Sequence, residues 1–334
     1  MRHRTMGRTG LKVSELCFGA MTFGGRSEMW RGIGGLGERD ADEMVGCALD
    51  AGINFFDTAN GYGDGDSEVL LGKALGERRR DVIIATKFGF TQGPGPNEKG
   101  GSRAHIVQAA EESLARLGTD WIDVYILHRR DPATPLEETL RALDDLVRAG
   151  KARYAGISNH PAWQMMKANA AAEARGLVRF EVVQAFYALS ARDIEREIVP
   201  FLSDQNVGLM VWSPLAGGLL TGKYKRDAKP AADARRASFD IGPTDWDRVE
   251  RVLAAARPMA EERGASFAQV ALAWVLAKKH VTSVIIGARR LDQLEANLKC
   301  TRVELSAGEI ARLDDASALA PEYPGWFLER FDSL

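Results

Sequence analysis

The chain alternates short apolar runs with longer segments of helical periodicity, and this alternation constrains its fold more than any other feature. Eight apolar runs have the length of strands, and each is followed by at least one predicted helix. Regular alternation of strand and helix indicates a parallel sheet, and eight such units indicate a closed (β/α)8 barrel, the TIM-barrel arrangement. The predicted strands cover residues 14–21, 53–57, 82–87, 122–128, 154–158, 181–186, 208–212 and 283–286.

The segments between the strands predict the helical layer of an α/β fold. The predicted helices cover residues 41–51, 67–76, 103–117, 135–149, 162–175, 193–205, 246–263, 267–279 and 291–299. The chain has 334 residues, 45% of them hydrophobic, and no linker or change of composition interrupts it. We therefore expect one domain over residues 1–334. Additions to a minimal barrel are an N-terminal hairpin in 3–13, loops 22–38 and 215–245, and a tail at 316–334, the last three around the active-site mouth.

A Gly-rich loop offers a competing interpretation. Residues Gly32 to Gly37 spell GxGxxG, the pattern of a dinucleotide-binding loop in a doubly wound sheet. That fingerprint requires the glycines directly after a strand, whereas roughly ten polar and Gly residues separate them from the first predicted strand here. The pattern favours a mobile loop on the substrate side of a barrel.

Charge and cysteine content exclude several classes of function. The chain carries 44 basic and 46 acidic residues without a basic block, so nucleic acid is not an expected partner. Its cysteines, Cys17, Cys47 and Cys300, fit neither a metal nor a disulfide pattern. The N-terminus lacks an apolar signal core, and no apolar run reaches the length of a membrane span. These features predict a cytoplasmic protein with no metal site and no membrane partner.

Titratable residues stand at the ends of three successive predicted strands. Asp57, Lys87 and His128 each follow an apolar run, and Tyr62 comes five residues after Asp57 in a Gly-flanked turn. Taken singly, each has an ordinary structural explanation, such as a capping Asp or a histidine at the barrel rim. A TIM barrel carries its chemistry at the C-terminal ends of several strands, so the four together predict a proton-transfer site.

With the segment Asp57–Gly63, DTANGYG, and the strand-end lysine and histidine, the chain resembles the aldo-keto reductase family. The resemblance covers about residues 3–315 and implies that Asp57, Tyr62, Lys87 and His128 form the catalytic tetrad. It implies reduction of an aldehyde or ketone by NADPH, with Tyr62 as general acid. A phenol has a pKa near ~10, and the Lys87 ammonium, held by Asp57, would lower it. His128 would orient the carbonyl oxygen.

The resemblance also implies which residues hold NADPH. Ser158, Asn159 and Gln184 match positions that bind the nicotinamide carboxamide, and Trp212 matches a stacking platform. The run SPLAGGLLTGK, residues 213–223, resembles the family's pyrophosphate loop. The complete set of implied cofactor residues is Met21, Asp57, Ser158, Asn159, Gln184, Trp212, Ser213, Pro214, Leu215, Gly217, Lys223, Arg236, Gly287, Arg289, Gln293 and Asn297.

The adenosine end carries the implied cofactor preference. Arg289 follows the eighth predicted strand, where its guanidinium can meet a 2'-phosphate with two parallel hydrogen bonds. Gln293 and Asn297 lie four residues apart on one helix face. Two positions depart from the family's pattern. Ala296 replaces a frequent Glu, which puts one adenosine contact in doubt, and Met21 replaces a frequent aromatic residue, which widens the site near the nicotinamide.

Aromatic and sulfur-containing side chains in the additions are candidate walls of a pocket for a small carbonyl substrate. They are Met29, Trp30, Phe88, Trp326 and Phe327. Their other interpretation is as ordinary surface-anchoring residues. Barrels of the same family also serve as cofactor-binding regulatory subunits of potassium channels, which is the alternative function. The pattern leaves open the physiological carbonyl compound, the direction of the reaction and the number of subunits.

Overall fold

A closed barrel of eight parallel strands forms the centre of the computed structural model, which describes residues 1–229, 236 and 242–331. The fold predicted from the alternating pattern is confirmed. The barrel strands are β3 (Leu16–Gly19), β4 (Phe55–Asp57), β5 (Ile83–Phe88), β6 (Ile122–Leu127), β7 (Ala152–Ser158), β8 (Phe180–Phe186), β9 (Gly208–Trp212) and β10 (Ser283–Ile286). Each strand pairs with its neighbour in the chain, and β10 closes the barrel on β3, with Val284 opposite Leu16.

Helices cover the outside of the barrel. They are α1 (Glu28–Ile33), α2 (Glu38–Asp50), α3 (Asp66–Leu75), α4 (Arg103–Leu117), α5 (Leu136–Arg148), α6 (Ala162–Arg175), α7 (Ile194–Gln205), α8 (Trp246–Arg263), α9 (Phe267–Ala277), α10 (Leu291–Leu298), α11 (Ala307–Ala316) and α12 (Gly325–Phe331). The buried faces of α2 to α11 and the outward-facing strand residues form the larger of two apolar cores.

The N-terminal hairpin closes the barrel at the end opposite the strands' carboxyl ends. Strands β1 (His3–Thr5) and β2 (Lys12–Ser14) pair antiparallel, as the turn residues in 3–13 predict. Met6 is fully buried in the second, smaller core, which fills the barrel interior. Its sulfur lies so close to Gly208, at the start of β9, that a Cβ there would come within 2.3 Å of it. The hairpin is therefore a plug of the barrel floor.

Two of the predicted irregular segments contain helices. The 22–38 loop holds α1, capped by the Ser27 hydroxyl, and its ends meet where the Leu36 amide donates to Thr22 and the Gly24 amide donates to Leu36. The GxGxxG residues thus begin in the last turn of α1 and end directly before α2, rather than following a strand, which excludes the dinucleotide-loop interpretation. The tail holds α12. The first barrel strand is also shorter than predicted: it ends at Gly19, and Met21 lies beyond it.

Candidate active site

The carboxyl ends of β4, β5 and β6 bring three predicted site residues to one rim of the barrel. Asp57 is the last residue of β4, Lys87 is next to last in β5, and His128 directly follows β6. The parallel register places Asp57 beside Ala85 and Lys87 beside Ile126. Since side chains alternate between the two faces of a strand, this register decides which of them point into the barrel mouth.

Lys87 is the centre of the cluster. Its fully buried Nζ donates to Asp57 Oδ2 at 2.7 Å, to the Thr58 carbonyl at 2.7 Å and to Tyr62 Oη at 3.2 Å. An ammonium has three hydrogens, so these three acceptors use all of them. Burial alone would lower the pKa of Lys87, but the Asp57 carboxylate and the Tyr62 oxygen outweigh it and raise that pKa above its usual value. Lys87 is therefore cationic at neutral pH.

Tyr62 is half-buried beside this ammonium, and two aromatic rings fix its orientation. It packs edge-on against His128 at 5.6 Å and against Trp30 at 6.2 Å between ring centroids. The tight turn that starts at Tyr62 requires glycine next, because Gly63 has a φ of 58° and a Cβ there would lie 2.8 Å from the Phe23 carbonyl oxygen. The turn holds the phenol beside Lys87 and His128, at the carboxyl ends of the strands.

His128 supplies an uncharged hydrogen-bonding group. Burial lowers the pKa of its imidazole well below the usual value, and the positive charges of Lys87 and Arg129 add to the effect. The ring is therefore neutral at neutral pH and carries one N–H. The Phe90 ring packs against it in a T-shaped arrangement, with the ring centroids 4.5 Å apart. Phe90 was not among the predicted pocket residues, although its position two residues beyond β5 is a signal of a rim location.

The residues predicted to hold a nicotinamide offer hydrogen-bonding groups that complement a carboxamide. Asn159 Nδ2 donates to the His128 carbonyl and to Ser158 Oγ, and Gln184 Nε2 donates to Asp57 Oδ1 at 2.7 Å. Within the described chain, the amide oxygens of Asn159 and Gln184 accept no hydrogen bond, and the Ser158 hydroxyl hydrogen has no acceptor. One donor and two acceptors therefore remain, which matches the one acceptor and two donor hydrogens of a primary carboxamide.

Trp212 lies near this set at the end of β9. Its ring stacks on Phe186 at 4.8 Å with planes 25° apart, so Phe186 supports the predicted platform from one side. Phe186 was not predicted. Asp57 has both oxygens engaged, one by Lys87 and the other by Gln184.

The run after β9 forms a turn rich in left-handed backbone. Ser213, Ala216, Gly217 and Gly218 all have positive φ, and Pro214 and Gly217 are buried. Successive amides in such a conformation make a concave surface that suits an anion, as the predicted pyrophosphate role requires. Leu215 is half-buried within the turn, and Lys223 follows it with Nζ 5.1 Å from the centre of the Tyr224 ring.

The predicted adenosine residues fall into two groups. The backbone amide of Arg289, just before α10, donates to Oε1 of Gln293 in the first turn of that helix at 3.1 Å. Asn297 lies one turn further along the helix. Gly287 is exposed at the end of β10. Arg236 donates to Thr244 Oγ1 at 3.1 Å and lies over Tyr224, 6.0 Å from the ring centre. The ring of Tyr224, which was not predicted, therefore lies close to two cationic side chains, Lys223 and Arg236.

The predicted pocket walls have different locations. Trp30 lies beside Tyr62 and donates from Nε1 to Asp64 Oδ1 at 3.2 Å, and Met29 is exposed on α1. The prediction for Phe88 is wrong: its side chain is fully buried and packs on Tyr125 in the outer core. Because Lys87 points into the barrel, its neighbour must point outwards. Trp326 and Phe327 lie on exposed α12 and contact each other and Tyr323.

A large groove of about 1240 Å³ lies away from these residues. The hairpin, the end of α9 and the end of α10 line it, with Arg4, Glu15 and Cys300 among the lining side chains. Size alone does not locate the chemistry here, because the convergent polar groups are at the opposite end of the barrel. Within the described residues, no helix combines the length and the apolar character needed to cross a membrane.

Comparison with known proteins gives a consistent result. The model of the Aldo/keto reductase family matches residues 15–318. A probable voltage-gated potassium channel subunit beta from Arabidopsis thaliana is 41% identical, over 91% of this chain and 92% of its own. The uncharacterized oxidoreductase YrpG from Bacillus subtilis is 38% identical over 94% of this chain and 95% of its own. Norsolorinic acid reductase from Aspergillus flavus is 33% identical over 98% of this chain and 84% of its own.

Proposed function

The chain belongs to the aldo/keto reductase family of oxidoreductases, and on that premise we propose that it reduces an aldehyde or ketone to an alcohol with NADPH. The observation that supports the proposal is the buried Lys87 ammonium, 3.2 Å from Tyr62 Oη and 2.7 Å from the Asp57 carboxylate. This arrangement stabilises a phenolate, so it makes the phenol a stronger proton donor. The acceptor of that proton is the oxygen of a bound carbonyl group.

Bound NADPH supplies the hydride, which no side chain can provide. As negative charge develops on the carbonyl oxygen, Tyr62 donates its proton to that oxygen, and the alcohol is complete. The Lys87 ammonium stabilises the phenolate that remains until it regains a proton from solvent. Neutral His128 donates a hydrogen bond to the same oxygen, which orients the carbonyl and stabilises the developing charge. Asp57 holds Lys87 in place.

The residues that would hold the cofactor follow from the unused hydrogen-bonding groups. Ser158, Asn159 and Gln184 would bind the carboxamide and so present one face of the nicotinamide to the mouth. The turn after β9 would bind the pyrophosphate, and Arg289 the 2'-phosphate. Trp30 and Phe90, on either side of Tyr62 and His128, would form the walls that exclude water from the reacting carbonyl.

A panel of aldehydes and ketones tests the reaction class directly. Each compound is mixed with the protein and NADPH, and cofactor oxidation is followed by absorbance, with product identified by mass. We expect turnover of at least one carbonyl compound. Tight NADPH binding without turnover of any member of the panel would contradict the proposal.

Replacement of Tyr62 by Phe tests the general acid. The ring and its packing against Trp30 and His128 remain, but the proton is lost. We expect carbonyl reduction to fall about 10²- to 10⁴-fold, while NADPH affinity, measured by fluorescence titration, stays within about twofold because the cofactor residues are untouched. A loss of less than about threefold, with hydride transfer shown to limit the rate, would remove Tyr62 from this role.

The 41% identity to a probable potassium channel subunit beta supports a second candidate function. In that case the barrel binds nicotinamide cofactor as a regulatory subunit, and catalysis is slow. The panel separates the two candidates, because tight cofactor binding without turnover favours the regulatory role. Association of the protein with a channel's cytoplasmic domain, tested by size-exclusion chromatography with and without NADPH, then provides direct support.

A further inference from the structure

A chain of hydroxyl groups connects the neighbourhood of Lys87 to helix α3. Thr58 Oγ1 lies 2.9 Å from Ser67 Oγ, and Ser67 Oγ donates to the Ala20 carbonyl at 2.7 Å. Thr58 and Ser67 are both fully buried. Neither is a member of the tetrad, and the mechanism above gives neither a role.

The direction of these hydrogen bonds follows from their partners. A carbonyl oxygen only accepts, so the single Ser67 hydroxyl hydrogen goes to Ala20. Thr58 must therefore donate to Ser67. The relay runs from the segment after β4, through the second residue of α3, to the end of β3, and it leaves no hydroxyl hydrogen unused.

Thr58 also provides one of the three acceptors of the Lys87 ammonium. Its carbonyl oxygen accepts from Nζ at 2.7 Å, and its amide donates to the Ala85 carbonyl at 2.9 Å. The amide, carbonyl and hydroxyl of Thr58 are thus all bonded, which fixes the residue, and with it the peptide that carries its carbonyl, in one orientation. Since Thr is β-branched, its side chain has few alternative rotamers once the hydroxyl is bonded.

The next residue of α3 fixes the strand that carries the lysine. Glu68 is fully buried and accepts from the Thr86 hydroxyl at 2.5 Å and from Arg116 Nε at 2.7 Å. Thr86 precedes Lys87 in β5. Two consecutive residues of α3 therefore fix the position of Lys87. Ser67 fixes Thr58, whose carbonyl accepts from the ammonium, and Glu68 fixes the strand that carries the lysine.

We propose that Thr58 and Ser67 are positioning residues that hold the Lys87 ammonium within reach of the Tyr62 phenol. The inference rests on the proposed function in that the phenol is taken as the proton donor. Without the relay, the Thr58 peptide can turn, and Nζ can move towards Asp57 and away from Tyr62. The titratable groups that face Lys87 are Asp57 and Tyr62, His128 at the end of β6, and Cys17 on β3.

A set of matched variants isolates the relay. Thr58→Val keeps the shape of the side chain and removes its hydroxyl, and Ser67 can still donate to Ala20, so no donor is left unpaired. Thr58→Ser restores the hydroxyl. Thr139→Val is the control, because the Thr139 hydroxyl is equally buried and donates to the Gly101 carbonyl at 2.7 Å, in α5 and outside the tetrad.

The first measurement is the dependence of carbonyl reduction on pH. With Lys87 farther from Tyr62, the phenol is a weaker acid, so we expect Thr58→Val to lower the plateau rate about 5- to 30-fold. The loss of rate at high pH should move upwards by roughly half a pH unit or more. Thr58→Ser should restore both values. Thr139→Val should lower stability but leave the pH profile unchanged. Equal profiles for Thr58→Val and Thr139→Val would overturn the proposal.

The second measurement does not depend on turnover. Phenolate absorbance of Tyr62 is obtained as the difference between each protein and its Tyr62→Phe counterpart, titrated with base. We expect the midpoint to rise in Thr58→Val and not in Thr139→Val. If wild-type protein reduces no carbonyl but this shift is found, the proposed function fails while the positioning role stands. If the midpoint does not move, the positioning role is refuted, whatever the activity.

Discussion

Arg289 is the residue on which the proposed preference for NADPH depends. Its side chain is half-buried at the start of α10, and its amide is bonded to Gln293. The neighbouring acid, Asp292, accepts two hydrogen bonds from Arg290 at 2.9 Å each, so its charge is already paired with another guanidinium. A phosphate near Arg289 would therefore meet a cation without meeting a competing unpaired carboxylate from Asp292.

Replacing Arg289 by Ala should weaken NADPH binding far more than NADH binding. A hydrogen bond to a charged group contributes about 1.5–3 kcal/mol, or about 10- to 150-fold in affinity. Arg302→Ala is the control, because it removes the same charge from the groove at the opposite end of the barrel and leaves the Arg290–Asp292 pair intact. Calorimetric titration of all three proteins with both cofactors gives the answer. Equal losses for NADPH and NADH, or a control that behaves like Arg289→Ala, would contradict the assignment.

At the same scale, the tetrad was predictable and its surroundings were only partly so. Asp57, Lys87 and His128 stand at strand ends, and strand ends converge in any parallel barrel, so their proximity follows from the sequence pattern. The assignment of Phe88 to the pocket is wrong because side chains alternate along a strand, so Phe88 faces outwards when Lys87 faces inwards. Phe90 and Phe186 were missed because their partners, His128 and Trp212, come from other strands, and such pairs depend on the barrel's register.

Helix α1 is the element that the sequence predicted least well. Its six residues lie in a Gly-rich segment, and a helix so short is not stable by itself in water. What holds it is tertiary contact: Trp30 is buried beside Tyr62 and bonded to Asp64, and a Cβ on Gly25 would lie 2.2 Å from that of Trp30. Local propensity does not include such contacts, and the segment was therefore predicted as a loop.

Hydrogen exchange should show that α1 opens more readily than its neighbour. We expect the amides of α1 and of Gly32–Gly37 to exchange faster than those in the centre of α2, because α1 has only two buried residues and several adjacent glycines. Binding of NADPH with a carbonyl inhibitor should slow exchange in α1, since both would lie against Trp30. Protection of α1 equal to that of α2 in the free protein would contradict this expectation.

At the scale of the whole molecule, buried histidines connect stability to pH. Burial lowers the pKa of His105, His128, His160 and His280, four of the five histidines in the chain. In the unfolded chain these imidazoles accept protons near pH 6.5, whereas in the fold they do so only at lower pH. The unfolded state therefore binds more protons in that window, and the free energy of unfolding falls as the pH falls below about 6.5.

Urea denaturation at about pH 7.5 and about pH 5.5 measures this dependence. We expect lower stability at the lower pH, and a smaller difference in His280→Gln, which removes one of these imidazoles from a half-buried position. His280 Nε2 is buried and has no hydrogen-bond partner among the described residues, so Gln there disrupts no existing bond of that atom. His3→Gln, at an exposed site, is the control. An unchanged pH dependence in His280→Gln would show that this histidine is not part of the effect.

Closure of the barrel between its first and last strands has a consequence for synthesis on the ribosome. Until β10 has emerged, β3 and β9 each present an unpaired edge of buried, apolar residues, and such edges invite aggregation. The N-terminal plug also lacks its partners until this late stage, because Arg4 donates to the carbonyls of Leu276 and Val281, more than 270 residues further along the chain. The hairpin, which is made before the barrel, is thus among the last elements to find its partners. Until β10 emerges, the nascent barrel must be shielded or must stay loosely folded.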